Sequence, residues 1–233
     1  DNLQIQNNII HHSYLNDVKK LIFLGSSCIY PRECPQPIKE EYLLSGVLEK
    51  TNEPYAVAKI SGIKMCENYY NQYKCNFISV MPTNLYGQGD NFDLENSHVI
   101  PALIKKIHEA KLAKSESVEL WGTGRPRREF LYVDDMADAC VHLFESIDAN
   151  QLYSMGINHI NVGSGVDLTI HELAIMIANT IGFKGKIIYD NSKPDGTPQK
   201  LLDVTLLNKL GWYYNLDLKT GLELTYNQYL KTL

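Results

Sequence analysis

The stretch KKLIFLGSSC, residues 19–28, decides the fold. Leu21 to Leu24 form an unbroken apolar run, which reads as a strand buried on both faces, and Gly25-Ser26 breaks it. Upstream, Leu3, Ile5, Ile9, Ile10 and Leu15 recur at helical spacing. A helix feeding a buried strand points to an α/β sheet. Downstream, the proline-rich stretch Pro31 to Pro37 reads as a loop. A long helix is then entered at Glu53-Pro54 and runs through Tyr55, Ala58, Gly62, Met65 and Tyr69. Asn76 to Met81 reads as a second strand, closed by Pro82, and Asn84 to Ser97 as a polar loop.

The same alternation continues to the C-terminus. A helix is expected over Pro101 to Ala113, then a strand over Ser117 to Trp121 that ends in the turn Gly122-Thr123-Gly124. After the basic loop Arg125 to Arg128, a strand over Glu129 to Val133 leads through the N-cap pair Asp134-Asp135 into a helix from Met136 to Ser146. His159 to Val162 reads as a strand, and a capping box over Thr169 to Glu172 opens a helix that ends near Ile181. Lys186 to Tyr189 is the last clear strand, followed by helical patterns over Val204 to Leu210 and Leu218 to Leu230. The expected fold class is α/β, with right-handed βαβ units wound about a parallel sheet.

Composition narrows the function. The 233 residues carry 22 Lys+Arg against 27 Asp+Glu, a net charge of −5, without the basic surplus of a general nucleic-acid or anionic-membrane binder. No apolar run approaches the ~18 residues of a membrane helix. Five cysteines, at 28, 34, 66, 75 and 140, are odd in number, widely spaced and free of C-x-x-C pairs, which disfavours a disulfide framework or a zinc knuckle. No tight His/Cys/Asp cluster suggests a metal site. The reading expects a reducing, cytoplasmic location, with no signal peptide over Asp1 to Asn8.

The chemistry centres on Tyr55-Ala-Val-Ala-Lys59, an i, i+4 pair that places an ammonium beside a phenol on one helix face. A tyrosine titrates near ~10, so a fixed positive neighbour is expected to lower it toward neutrality for acid catalysis. Alone, such a pair is most often surface coincidence. Here it follows a hydroxyl, Ser26, at the C-terminal end of a buried strand, where open α/β sheets place ligands.

In this order the residues resemble the Ser, Tyr and Lys set of the extended short-chain dehydrogenase/reductase superfamily. The strings GSSCIYP (25–31), NEPYAVAK (52–59), MPTNLYG (81–87), NSHVIPALI (96–104), WGTG (121–124), REFLYVDD (128–135), INVGSG (160–165) and KPDGTPQKLLDV (193–204) are similar to the GDP-L-fucose synthase family over almost the whole chain. The resemblance implies a Rossmann-like parallel sheet with a smaller C-terminal α/β substrate-binding domain. Residues 1–92 and about 126–150 would form the NADP-binding part, and about 93–125 and 151–233 the part for a GDP-sugar.

The implied reaction is NADPH-dependent 3,5-epimerisation and 4-reduction of GDP-4-keto-6-deoxy-D-mannose. A C4 ketone acidifies the protons at C3 and C5, so epimerisation needs a base on one face and an acid on the other. Thiols and imidazoles titrate within a few units of neutral and suit that exchange. By resemblance Cys28 is the base and His98 the acid, Tyr55 protonates the developing alkoxide, Lys59 holds Tyr55 and the nicotinamide ribose, and Ser26 donates to the same oxygen. Taken singly, Cys28 would be a small core residue and His98 a solvated or capping one. The NADP(H) contacts implied are Leu24, Gly25, Ser26, Ser27, Tyr55, Lys59, Pro82, Thr83, Asn84, Leu85 and His98. Those implied for the GDP-sugar are Lys106, Trp121, Arg128, Asp195 and Lys200. Lys106 stands where the family usually has arginine, which exchanges a planar fork for a point charge and bears on affinity. Trp121 could equally be a packing residue.

One expected feature is missing from the sequence. No glycine-rich turn joins a first strand to a first helix, and Gly163-Ser-Gly165 has Leu168 at its third position. The reading therefore expects at least one βαβ unit, ~30 residues or more, to be lacking at the front. Strand Leu21 to Leu24 would then expose an apolar edge, and the chain alone would bind NADPH weakly. Two other readings stand beside the main one: an epimerase/reductase for a related GDP-4-keto-deoxy sugar of the colitose or deoxyheptose kind, and a non-catalytic nucleotide-sugar-binding remnant. Helices over 3–16 and 55–73 are the pair that relatives use for a homodimer, and core packing explains the same pattern.

Overall fold

The structure is a computed structural model that describes residues 1–94 and 96–233. The chain divides into two compact units, one of residues 1–83, 136–165 and 201–213, the other of residues 84–135, 166–200 and 214–233. The sequence-based boundaries differ. Residues 84–92 and 126–135 pack in the second unit, and 151–165 and 201–213 return to the first. Strand pairing decides this, because each crossing segment supplies a strand or a bridge to the sheet it joins.

The first unit opens with α1 (Asn2–Leu15), β1 (Leu21–Leu24), α2 (Glu53–Tyr73) and β2 (Phe77–Pro82). β1 pairs in parallel with β2, Leu24 opposite Val80, and β2 with the later β6. Phe23 is buried against Ile10 of α1 and Ile63 of α2, while Ile22 and Leu24 face Cys140, Val141 and Phe144. Only Phe23 of the strand is buried; Leu21 and Ile22 are partly buried and Leu24 is exposed beside an open groove, so the strand is less enclosed than its unbroken apolar run implies. Gly62 of α2 lies directly over Phe23, where a Cβ would overlap the ring, so glycine sets the helix-to-sheet distance. β1 is the edge of the three-stranded sheet and Leu24 is half exposed, as expected of an apolar edge.

In the second unit, β3 (Asn84–Tyr86) is followed by α3 (Val99–Leu112), β4 (Ser117–Trp121) and β5 (Arg127–Tyr132). α4 (Val133–Ser146) and α5 (Ala149–Ser154) come next, then β6 (Ile160–Val162) of the first unit. The chain continues through β7 (Asp167–Thr169), α6 (Ile170–Ile181), β8 (Lys186–Asp190), β9 (Gln199–Lys200), α7 (Thr205–Lys209) and α8 (Leu218–Leu230). β5 pairs in parallel with β3 and β9 and antiparallel with β7, and β4 pairs in parallel with β8. The second core gathers Ile104 and Ile107 of α3, Leu173 and Ile177 of α6, and Tyr226 and Tyr229 of α8.

Several local expectations change. β3 lies inside the expected polar loop, and β7, α5 and β9 were too short for a periodic signal. β5 starts at Arg127, which puts Arg127 and Arg128 on a strand rather than in a loop. Asp134 and Asp135 sit within the first turn of α4 rather than capping it, and the Asp135 carboxylate accepts from the Asn215 and Leu216 amides. No helix among the described residues is long and apolar enough to cross a membrane.

Candidate active site

In the first unit the chain leaves β1 at Gly25, whose amide donates to the Val80 carbonyl at 2.9 Å, and enters a 3-10 turn over Ser27–Ile29. Ser26 caps that turn: its Oγ accepts from the Cys28 amide at 3.2 Å. The Ser26 hydroxyl and the Cys28 thiol both lie near enough to the Tyr55 phenol to act on its titration, the first lowering it and the second raising it. Ser26, Cys28 and Tyr55 are thereby brought together at the C-terminal end of β1, with Ser27 buried beside them.

Lys59, one turn along α2, donates from Nζ to the Leu24 carbonyl at 2.9 Å and lies 5.7 Å from the Tyr55 ring centroid. Burial lowers the Lys59 ammonium, because the charged form loses solvent. Tyr55 departs from the expectation drawn from spacing: burial raises its phenol above the ordinary value, the Ser26 hydrogen bond draws it down, and Cys28 raises it. With burial as the largest cause, the phenol stays protonated through the neutral range.

The other residues implied for the cofactor divide between the units. Leu24 ends β1 and Gly25, Ser26 and Ser27 follow it, while Pro82 ends neighbouring β2 and Thr83 follows, its amide on the Val162 carbonyl at 3.0 Å. Asn84 and Leu85 belong to β3 in the second unit, where Asn84 Nδ2 donates to the Glu129 carbonyl at 2.8 Å. His98, also in the second unit, is the exposed N-cap residue of α3 and makes no side-chain capping bond.

The residues implied for the GDP-sugar all lie in the second unit. Trp121 ends β4 and is 66% exposed, which removes the packing alternative. Lys106 of α3 places its Nζ 5.1 Å from the Trp121 ring centroid. Arg128 stands opposite Lys200 in the β5–β9 register, so two cations are adjacent on one ladder. Asp195, expected to contact the substrate, has both oxygens engaged by Thr123: Oδ1 accepts its amide at 2.7 Å and Oδ2 its hydroxyl at 2.8 Å. Its carboxylate fastens the 193–196 loop to the WGTG turn. Gly122, at φ 80°, permits this, because a Cβ there would overlap that carboxylate. Sequence reasoning quoted Lys193 within KPDGTP yet assigned it nothing; the structure puts its Nζ 5.5 Å from the same indole centroid.

The fit to a nicotinamide cofactor rests on the donor set. A phenol and an ammonium one helical turn apart, beside a strand-end carbonyl, suit the hydroxyls of a ribose. Lys59 also lines an open groove of about 220 Å³ with Leu21 to Leu24, so its ammonium is reachable.

The chain is similar to proteins of known family. Residues 1–163 match the NAD dependent epimerase/dehydratase family. The chain is 57% identical over 232 residues to a putative GDP-L-fucose synthase 2 of Arabidopsis thaliana, covering 100% of this chain and 69% of the relative. It is 56% identical over 232 residues to the GDP-L-fucose synthase of Escherichia coli K12, covering 99% and 72%. Among solved structures, the GDP-mannoheptose C4 reductase from Campylobacter jejuni with NADP bound is similar at a TM-score of 0.89 and 40% identity, covering 98% of this chain and 75% of that one. With the Ser26, Tyr55 and Lys59 set in place at the end of a parallel strand, the chain belongs to the NAD dependent epimerase/dehydratase family and, within it, to the GDP-L-fucose synthases.

Proposed function

We propose that the protein converts GDP-4-keto-6-deoxy-D-mannose to GDP-L-fucose by 3,5-epimerisation and 4-reduction, with NADP(H) as cofactor. The observation that carries this reading is the convergence of Ser26, Cys28 and Tyr55 at the end of β1. An oxidoreductase without epimerisation needs only the hydroxyl, phenol and ammonium; a thiol near enough to act on the same phenol adds a proton-exchanging group beside them.

The steps follow from the chemistry of these groups. Cys28, as thiolate, takes a proton from the carbon beside the C4 ketone, and the electron pair moves into an enolate that the Ser26 and Tyr55 hydroxyls stabilise. His98 returns a proton on the opposite face, which inverts the centre. NADPH, held at its ribose by Tyr55 and Lys59, would supply the hydride for C4. Tyr55 gives its proton to the C4 oxygen, and its raised titration means it enters the step as an acid. Lys59 orients the phenol and the ribose. On the substrate side, Lys106, Arg128 and Lys200 set positive charge against the diphosphate, and Trp121 offers a face to the guanine.

The rest of the reading is coarser. Exposed Leu3, Ile5 and Ile9 on α1, with Val57 and Tyr73 on α2, support a homodimer through that helix pair. A cytoplasmic location belongs with a nucleotide-sugar substrate and with cysteines that form no disulfide. A related GDP-4-keto-deoxy sugar is the second reading, favoured by the likeness to the heptose C4 reductase.

The test is incubation with GDP-4-keto-6-deoxy-D-mannose and NADPH, with chromatographic identification of the product. GDP-L-fucose formation supports the proposal. Turnover of a heptose or colitose precursor in preference transfers the assignment to the second reading, and binding of the sugar without turnover reduces the protein to a nucleotide-sugar binder.

A further inference from the structure

We propose that Lys193 is a second diphosphate-binding cation, and that a nucleoside diphosphate draws Lys193 and Lys106 off the Trp121 indole, freeing the ring for the base. This rests on the nucleotide-sugar reading above and adds to it a residue and an exchange. Trp121 is one of two tryptophans and the exposed one; Trp212 is buried. A two-thirds exposed indole is an apolar surface held open, which fits a binding role better than a packing one. Two ammonium groups lie over this one ring, Lys106 Nζ at 5.1 Å and Lys193 Nζ at 5.5 Å from its centroid.

Like charges repel, so their gathering on a single ring needs a reason. Among the described residues neither ammonium is within ion-pair distance of a carboxylate. Asp190, which feels the Lys193 charge, is already engaged by the Ser192 amide at 3.0 Å and hydroxyl at 2.6 Å. The indole face is then a weak cation–π resting place at an exposed site. A diphosphate offers each ammonium a charge-assisted hydrogen bond, which is stronger.

The position of Lys193 is built into the unit. Its loop is fastened through Asp195 to Thr123, and its own amide donates to the Asp190 carbonyl at 3.2 Å. A Cβ added at Gly196 in the same loop would lie 3.7 Å from an Arg128 Nη2, so the loop runs beside a further cation. Lys106 comes from α3, Lys193 from the loop after β8 and Arg128 from β5. Three cations from separate elements of an acidic chain suit a compact dianion joined to an aromatic base.

The experiment follows tryptophan emission and calorimetric binding in the intact protein with three probes: GDP, inorganic pyrophosphate and guanosine. GDP is expected to change the emission, and Trp121→Phe to abolish the change. Lys193→Gln should weaken GDP binding about tenfold and shallow its salt dependence, with Lys193→Arg restoring most of it. Guanosine, which has no diphosphate, should bind Lys193→Gln at least as well as wild type, because the variant lacks one of the cations resting on the ring; weaker guanosine binding by the variant overturns the exchange. Equal GDP affinity in wild type and Lys193→Gln overturns the role of Lys193 while leaving the nucleotide-sugar reading standing. Pyrophosphate matching GDP in both affinity and emission change overturns the exchange, because no base would then be using the ring. If the wild type does not bind GDP, the nucleotide-sugar reading fails and this inference with it. Lys193 is exposed, so its replacement does not threaten folding.

Discussion

Acidification to about pH 5 is expected to remove about 2 kcal/mol of stability from this protein through one buried imidazole, His159. The ring is fully buried, with Nε2 2.7 Å from the Tyr30 hydroxyl and Nδ1 2.6 Å from Asn158 Oδ1. Burial, with help from the Lys64 charge, lowers its pKa from 6.5 to about 3. The unfolded chain therefore takes up a proton between those values while the folded chain does not. Stability from this residue is intact above the unfolded pKa and falls as pH drops below it, by about 1.4 kcal/mol for each pH unit once the unfolded imidazole is fully protonated. Between pH 7.5 and 5 that integrates to about 2 kcal/mol, a melting-point loss of about 4–8 °C.

Other groups titrate in the same range, and a comparison removes them. Glu40 accepts from the Asn161 amide at 3.1 Å, and burial raises its carboxyl, so its protonation works in the opposite sense as pH falls. Asp148, Glu172, Asp190 and Asp217 are lowered by hydrogen bonds and lose stability in acid. All are present equally in His159→Gln, whose amide retains a polar group beside Tyr30. Urea melts of both proteins at the two pH values isolate the histidine. Wild type should lose about 2 kcal/mol more than the variant. Equal losses would show that the imidazole is not held neutral in the fold and would refute the reasoning.

Three substitutions test the active site and the packing beneath it. Tyr55→Phe removes the proton donor, so NADPH oxidation should fall about 10²–10⁴-fold while exchange of solvent deuterium into C3 or C5 survives; undiminished oxidation rules out the phenol as the acid. Cys28→Ser should slow deuterium exchange first, and exchange at the wild-type rate would remove the thiol from the mechanism. Gly62→Ala drives a methyl into the buried Phe23 ring, at an overpacking cost of about 1–3 kcal/mol, against about 1 kcal/mol gained in helix propensity. A thermal melt should drop by a few degrees, and a rise would mean that Phe23 moves aside freely.

The sequence was most legible where side-chain periodicity is long or chemistry is unusual. KKLIFLGSSC marked a strand because four apolar residues in a row suggest one without a solvent face; the strand is there over Leu21–Leu24, but only Phe23 of it is buried, since full enclosure depends on what packs against it. The Tyr55 and Lys59 pair was visible because i, i+4 spacing places two groups on one helix face. The direction of the Tyr55 shift was not visible. It depends on burial, with Ser26 and Cys28, about 27 to 29 positions away in the chain, acting in opposite senses. Short elements such as β3, β7 and β9 escaped for a related reason: two or three residues carry no period, and their partners in β5 define them.

What the sequence determined by itself was the α/β class, the strand–hydroxyl–phenol–ammonium order and the residues that mark the family, because local propensity and the identity of reactive groups travel with the chain. Only the tertiary structure decided which segments share a core, that Asp195 is committed to Thr123, and that Trp121 stands exposed with Lys106 and Lys193 over its ring. Those facts depend on contacts between residues distant in sequence, where close packing, rather than any local preference, fixes what each side chain touches.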